Sequence, residues 1–156
     1  MTFIVDGTNG LTFNNSTTQA GAAKVLQVVT ASTQASASTT STTFVSTGLT
    51  ATITPKFATS KILVLFSGTF YNANAGQTSI ETLYRNSTNL FTYGFAQQPS
   101  NITGIIMPAS LNYVDSPTTT SATTYGIYYK QSTSAAAVYM TISGEVATIT
   151  LMEIAA

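Results

Sequence analysis

Leu49-Thr50-Ala51-Thr52-Ile53-Thr54 alternates apolar and hydroxyl side chains with a period of two. In a β-strand, this period places the apolar side chains on one face and the threonines on the other. Pro55 follows directly, and because proline has no backbone N–H to donate, it ends the pairing of the strand. The stretch therefore predicts a strand with one buried face and one hydroxyl-bearing face.

The composition extends this prediction to the whole chain. Its 156 residues suit one domain, and they include 31 Thr and 17 Ser but only five basic and five acidic residues. Thr, Tyr, Phe, Val and Ile suit a pleated sheet, whereas Glu, Lys, Leu and Arg, which favour helical bundles, are scarce. We therefore expect an all-β protein, built as an antiparallel, jelly-roll-like β-sandwich.

The strands are expected to be short and separated by turn residues. Residues 1–23 form an N-terminal segment, and residues 24–156 form the sandwich. Residues 31–43, rich in Ser, Thr and Ala, are interpreted as a strand and loop of the domain in preference to a low-complexity linker. The expected strands are 25–30, 49–54, 61–71, 79–85, 89–93, 103–113, 123–130, 137–143 and 146–154, with turns that include Pro99-Ser100-Asn101.

The most apolar segment, Ile62 to Phe66, does not alternate. A strand of this kind is expected to be covered on both faces. A neighbouring subunit or a loop of the same chain would provide the second cover. We assign Ile62, Val64 and Phe66 to a candidate subunit interface.

Several classes of function are excluded by what the chain lacks. It has no His and no Cys, which excludes a Ser-His-Asp triad, a thiol nucleophile and imidazole or thiolate metal sites. The spacing of its five carboxylates nominates no catalytic pair, so we expect no enzyme, no cofactor and no metal. Five scattered basic residues make no phosphate-binding stripe, so nucleic acid is not an expected partner. The longest apolar run has five residues, far fewer than the roughly 20 of a membrane helix, so membrane insertion is not expected either.

Aromatic and amide side chains cluster near the expected strand ends. A flat ring can cover the apolar face of a sugar while amides bind its hydroxyl groups. The alternative is that the rings pack in the core and the amides shape turns. The candidate glycan or receptor residues are Tyr71, Asn72, Asn74, Tyr93, Gln97 and Gln98.

A motif near the N-terminus adds a family resemblance. Gly10-Leu11-Thr12-Phe13-Asn14-Asn15-Ser16-Thr17-Thr18-Gln19 resembles the distal part of tailed-bacteriophage tail fibres, where a motif G-L-T-F-x-(N/D)-x-T-T-Q leads into a terminal β-sandwich. The resemblance continues in the blocks 24–29, 47–55, 60–64, 111–117 and 148–154.

The resemblance implies a virion structural protein, namely a short tail-fibre or fibre-tip subunit that forms a homotrimer and contributes to attachment to the host surface. It implies a location on the tail, baseplate or capsid surface after synthesis in the host cytoplasm. The N-terminal segment would dock to other virion proteins. Its two short β runs, 2–5 and 11–13, are marginal alone, and the candidate docking residues are Phe3, Val5, Leu11 and Phe13.

Two alternatives stay open at this point. The sequence starts at Met1, only nine residues before the motif, so we expect this chain to lack the long shaft of known fibres. That difference favours a capsid or head decoration protein, or a capsid fibre without receptor binding. A carbohydrate-binding adhesin module is the second alternative.

Overall fold

A computed structural model describes residues 4–6, 10–12, 24–133, 136–142 and 144–155. In these ranges the chain forms strands, turns and bends and contains no helix. The expected all-β class is therefore confirmed. In chain order, the strands are β1 (Ile4–Asp6), β2 (Gly10–Thr12), β3 (Val25–Thr33), β4 (Ala37–Thr39), β5 (Val45–Ile53), β6 (Lys61–Asn72), β7 (Gln77–Arg85), β8 (Thr88–Asn89), β9 (Ala96–Ser100), β10 (Ile105–Asp115), β11 (Thr123–Gln131), β12 (Val138–Met140) and β13 (Ala147–Ile154).

Two antiparallel sheets make up the sandwich. In the six-stranded large sheet, β6 is central: β10 pairs along one side of it, and β13 and then β12 pair along the other. Strand β3 lies beyond β13, and β4 lies beyond β12. The five-stranded small sheet has the order β5-β11-β7, and both β8 and β9 pair with the far side of β7.

The first and last strands of the sandwich in chain order, β3 and β13, are neighbours in the large sheet. Val25 at the start of β3 pairs with Ile154 at the end of β13. Beyond this pair, the backbone N–H of Ala155 donates to the carbonyl of Lys24 at 2.9 Å. The large sheet is thus completed by a contact between residues about 130 positions apart in the chain.

The core lies between the two sheets. Leu49, Ala51 and Ile53 of β5 are buried, while the threonines between them are exposed, as the alternation predicts. Fully burying a Leu or Ile side chain contributes about 1.5–3 kcal/mol, so the alternation drives the two sheets together. The largest apolar or aromatic side chains that are fully buried are Phe70, Ile53, Ile62, Leu83, Tyr125, Ile127, Tyr129, Met140, Ile149 and Leu151.

The apolar segment of β6 does alternate once its side chains are placed. Ile62, Val64 and Phe66 point into the core and are at most 3 % exposed, whereas Leu63 and Leu65 face outward and are half-buried. A subunit contact through this strand would therefore use Leu63 and Leu65, because the other three side chains are already covered within one chain.

Two predictions about local structure were wrong. The strand predicted at 89–93 is present only at Asn89, which ends β8; residues 90–95 are not a strand, and Phe91 and Phe95 pack edge to face with ring centroids 6.3 Å apart. Pro99 lies within strand β9 and not in a turn. This is possible because β7 is the one described strand that pairs with β9, so the missing N–H of Pro99 breaks no described ladder on the other side of β9.

Residues 31–43 follow the interpretation as strand and loop. β3 continues to Thr33, and Ala37–Thr39 forms β4 at the edge of the large sheet.

The described part of the N-terminal segment is a two-stranded antiparallel ribbon. β1 pairs with β2, with Val5 opposite Leu11, as a sheet of its own. Phe3 and Phe13 lie outside the described residues. The boundary at residue 24 and the docking role of this segment remain predictions.

Candidate functional site

A group of buried polar side chains occupies one end of the sandwich interior. Ser79 lies at its centre on β7, with Gln131 of β11 directly opposite on one side and Gln98 of β9 on the other. Glu81 is the next inward-facing residue of β7. Asn72 reaches the same place from the large sheet, since its Nδ2 donates to the carbonyl of Gln98 at 2.7 Å. We call these five residues the polar cluster.

The amide groups of the cluster have fixed orientations. Gln98 donates from Nε2 to the carbonyl of Pro108 at 2.9 Å, and Gln131 donates from Nε2 to the carbonyl of Ala136. Because a carbonyl oxygen can only accept, the donor end of each amide must point toward it. The same holds for Asn72. All three side-chain carbonyl oxygens are therefore left free, and none has a hydrogen-bond partner among the described residues.

Glu81 is the charged member of the cluster and is fully buried. Burial raises the pKa of its carboxyl group to about 8, although the nearby Ser79 hydroxyl and the residue's own backbone lower that pKa in part. The Ser79 hydroxyl forms no hydrogen bond with a described group, and neither oxygen of Glu81 accepts one. A buried acceptor without a donor costs about 1–3 kcal/mol, so this arrangement is unfavourable unless something else supplies the donor or the charge.

The other buried glutamate shows how such a group is usually accommodated. Glu153 accepts from Nε2 of Gln27 at 2.6 Å and from the backbone N–H of Lys56 at 2.7 Å and of Phe57 at 3.4 Å. Burial alone would raise the pKa of Glu153, but these hydrogen bonds and the nearby Ser60 hydroxyl outweigh it and lower that pKa. The two buried glutamates therefore differ in their supply of donors.

The outer face of the large sheet carries a different feature, a row of apolar side chains across four strands. Val114 of β10 lies opposite Leu63 of β6, Leu63 opposite Met152 of β13, and Met152 opposite Val28 of β3. Val28 and Val114 are 53 % and 50 % exposed. We call these four residues the apolar row.

On one side of the apolar row, the exposed Lys61 of β6 pairs with Ile154 of β13, and on the other side the rows are mostly polar. The next row is Asn112-Leu65-Thr150-Thr30, and the one after it is Ser110-Ser67-Thr148-Ser32. The hydroxyl groups of Thr30 and Thr150 lie 3.1 Å apart and bond to each other. None of these three rows carries a charged side chain.

The structure separates the candidate glycan residues into two groups. Asn72 and Gln98 are buried in the polar cluster, so they are not available to a surface glycan. Asn74, Tyr93 and Gln97 are exposed, and Tyr71 lies half-buried on the outer face of β6 beside Tyr139, with ring centroids 5.6 Å apart. These four residues keep the assignment only as a prediction.

The sequence does not predict the polar cluster, because Asn72 and Gln98 match the aromatic and amide pattern of a glycan site and nothing singles out Gln131. The available signal was Ser79-x-Glu81-x-Leu83, in which a carboxylate occupies an inward position of a strand that continues into the core.

Within the described ranges, no three His, Cys, Asp or Glu side chains come together in a manner suited to a metal ion. In the same ranges, no helix is long and apolar enough to cross a membrane.

Comparisons with known proteins reveal a similar fold in solved structures. No family model matches the chain, and no curated protein sequence matches it. The solved structures that it resembles include the VP2 subviral particle of infectious bursal disease virus (TM-score 0.50, 15 % identity, covering 82 % of this chain and 39 % of that one). They also include the D431N mutant VP2 of the same virus in derived T=1 particles (TM-score 0.51, 13 % identity, covering 90 % of this chain and 39 % of that one). The chain thus spans about two fifths of these VP2 chains, and at such identities the likeness concerns the fold alone.

Proposed function

We propose that this chain is a virion structural protein that assembles with copies of itself through the outer face of the large sheet. The apolar row carries this proposal. It is an uncharged strip across four strands that ends in two half-exposed valines. Exposed contiguous apolar surface of this kind marks interaction sites on soluble proteins.

The occupant that fits this surface is a second copy of the chain. The formal net charge is zero, with five residues of each sign, so copies do not repel one another strongly. The polar rows beside the apolar row supply hydroxyl and amide groups that can bond across an interface, as a polar rim does. The VP2 proteins of similar fold occur in particles, which is consistent with a self-assembling sandwich.

More specifically, we propose that the chain is a homotrimeric short tail-fibre or fibre-tip subunit. The N-terminal segment docks to other virion proteins, and exposed residues such as Asn74, Tyr93 and Gln97 contribute to host-surface attachment. This form takes its support from the tail-fibre motif at residues 10–19. The alternative is a capsid or head decoration protein, which the presence of this fold in VP2 particles favours. No catalytic role is assigned.

Light scattering on the purified chain tests the assembly. We expect a mass three times that of the 16.3 kDa chain. The double variant Val28→Lys/Val114→Lys should be monomeric, since it places two charges in the apolar row, and should keep the β-type circular dichroism of the wild type. A matched variant, Thr50→Lys/Thr54→Lys, adds the same charges to exposed positions on β5 and directly after it, and should remain a trimer. A wild-type monomer across micromolar concentrations contradicts the proposal.

Imaging of virions with the chain labelled separates the tail from the capsid location. A glycan array with the purified protein tests for a carbohydrate-binding module.

A further inference from the structure

The polar cluster has more acceptors than donors. Asn72, Gln98 and Gln131 each present a free carbonyl oxygen, and Glu81 presents two carboxyl oxygens. Against these oxygens, the neighbouring described groups that remain free to donate are the Ser79 hydroxyl, Nε2 of Gln77, which is the first residue of β7, and the O–H of Glu81 while its carboxyl group is protonated. A surplus of buried oxygen atoms is the chemistry that a bound cation satisfies.

We propose that the polar cluster binds a hard metal cation, with Ca²⁺ as the matching ion, through the Glu81 carboxylate and the amide oxygens of Gln98 and Gln131. Hard cations take carboxylate, amide carbonyl and hydroxyl oxygens, all of which are present here. Ser79 adds a hydroxyl at the centre of the cluster.

The strand register brings these groups together. Gln131 and Gln98 lie directly opposite Ser79 on its two sides, and directly opposite residues have Cβ atoms about 4.5–5.5 Å apart. Glu81 is two residues further along β7 on the same inward face, diagonal to both glutamines. Diagonal neighbours are within reach of long side chains, so the three oxygen-bearing groups can meet above Ser79.

The unpaired oxygens favour a cation as the occupant. Glu81 is a buried carboxyl with no hydrogen-bond donor in the described part of the chain. The basic side chain nearest along its strand, Arg85, bonds instead to Asp115. A bound cation would replace the proton of this carboxyl group, balance the charge of the resulting carboxylate and give the unpaired oxygens a partner.

Ca²⁺ suits the site better than Mg²⁺. The ligands come from neighbouring strands, and their amides are fixed by bonds to backbone carbonyls, so they cannot rearrange freely. Ca²⁺ accepts six to eight oxygen ligands in irregular geometry, whereas Mg²⁺ requires a near-ideal octahedron. One carboxylate implies weak binding, with a dissociation constant of about 1 mM. The cluster lies near the ends of β6, β9 and β11 and the start of β7.

The test compares thermal midpoints of the full chain, first treated with EDTA and then supplied with chloride salts at constant ionic strength. We expect 10 mM Ca²⁺ to raise the midpoint by about 3–6 °C, with smaller effects of Mg²⁺, Na⁺ and K⁺. Glu81→Gln should abolish the shift. Glu153→Gln, which alters the other buried glutamate, should lower the starting midpoint but keep the shift. Titration calorimetry with CaCl₂ should show one site in the wild type and none in Glu81→Gln.

Two results overturn the proposal. One is a wild-type midpoint that does not respond to Ca²⁺, which leaves water to satisfy the cluster. The other is an equal Ca²⁺ response in the wild type and Glu81→Gln. If Glu81→Gln does not fold, Gln131→Leu replaces it: the shift should then fall at least by half, and a full shift in Gln131→Leu contradicts the proposal.

Discussion

Arg85 donates from Nη1 to both carboxylate oxygens of Asp115, at 2.9 and 2.8 Å, and the two residues belong to opposite sheets. The same carboxylate accepts from the hydroxyl of Tyr125 at 2.6 Å. Burial, together with this carboxylate, raises the pKa of Tyr125, so its hydroxyl stays protonated as the donor. Asp115 therefore fastens β10 of the large sheet to β7 and β11 of the small sheet.

Asp115→Ala should destabilise the sandwich strongly. It leaves Arg85 without its partner and the fully buried Tyr125 hydroxyl without an acceptor. We expect a loss of about 2–4 kcal/mol in the free energy of unfolding, measured in urea. Asp115→Asn keeps an acceptor for Tyr125 and should lose less. Equal losses in the two variants would show that the hydroxyl bond contributes little.

Glu153 should make stability depend on pH on the acid side. Its pKa is lowered in the folded protein, so its carboxylate stabilises the fold above the unfolded value of 4.5, and this stabilisation is lost as the pH falls. Glu153→Gln should cost about 1–2 kcal/mol near pH 7 and progressively less between about pH 5 and pH 2. Urea unfolding of both proteins across this range measures the difference. A difference that does not change with pH would contradict the assignment.

Gly68 should not tolerate a side chain. A Cβ at this position would lie 2.8 Å from Cζ of Phe66 and 3.1 Å from Cβ of Ala147, in the packed core. Gly68→Ala should therefore cost about 1–3 kcal/mol of unfolding free energy. Ser67→Ala, one residue earlier on the exposed face, should stay within about 0.5 kcal/mol of the wild type. Similar values for the two variants would mean that the core opens at this point without strain.

Deletion of residues 2–19 should leave the folding of the sandwich intact but prevent its docking to other virion proteins. Among the described strands, β1 and β2 pair with each other and with no strand of the sandwich, so their loss removes no described ladder from it. We expect a nearly unchanged thermal midpoint and loss of incorporation into particles. Unfolding of the truncated protein would instead make the segment part of the domain, and normal incorporation would place the docking contacts elsewhere.

The fold was predictable from the sequence where side chains alternate. The alternation of Leu49, Ala51 and Ile53 predicts β5 and its buried face correctly. Sequence patterns do not predict the bounds of an edge strand such as β9. Proline normally ends a strand, but an edge strand tolerates it, as at Pro99. Periodicity fails for Ile62–Phe66, where Leu63 and Leu65 face outward although the segment looks uniformly buried.

The polar cluster could not be predicted from the sequence. Asn72, Gln98 and Gln131 look like ordinary polar residues at strand ends, and only the pairing of β7 with both β9 and β11 brings the two glutamines beside Ser79. That pairing joins parts of the chain far apart in sequence. Local patterns carry no information about it.

The pairing of β3 with β13 has a consequence for synthesis. When β3 leaves the ribosome, its partner in the large sheet has not been made, and the ladder from Val25 to Ile154 must wait for the last strand. Chains reach that point at about 5–20 residues per second, so the edge strand stays unpaired for several seconds. Its core-facing apolar side chains, Val29 among them, are then open to neighbouring nascent chains on the same messenger. Polysomes that translate this chain would thus bring unfinished copies together before any one of them can close its sheet.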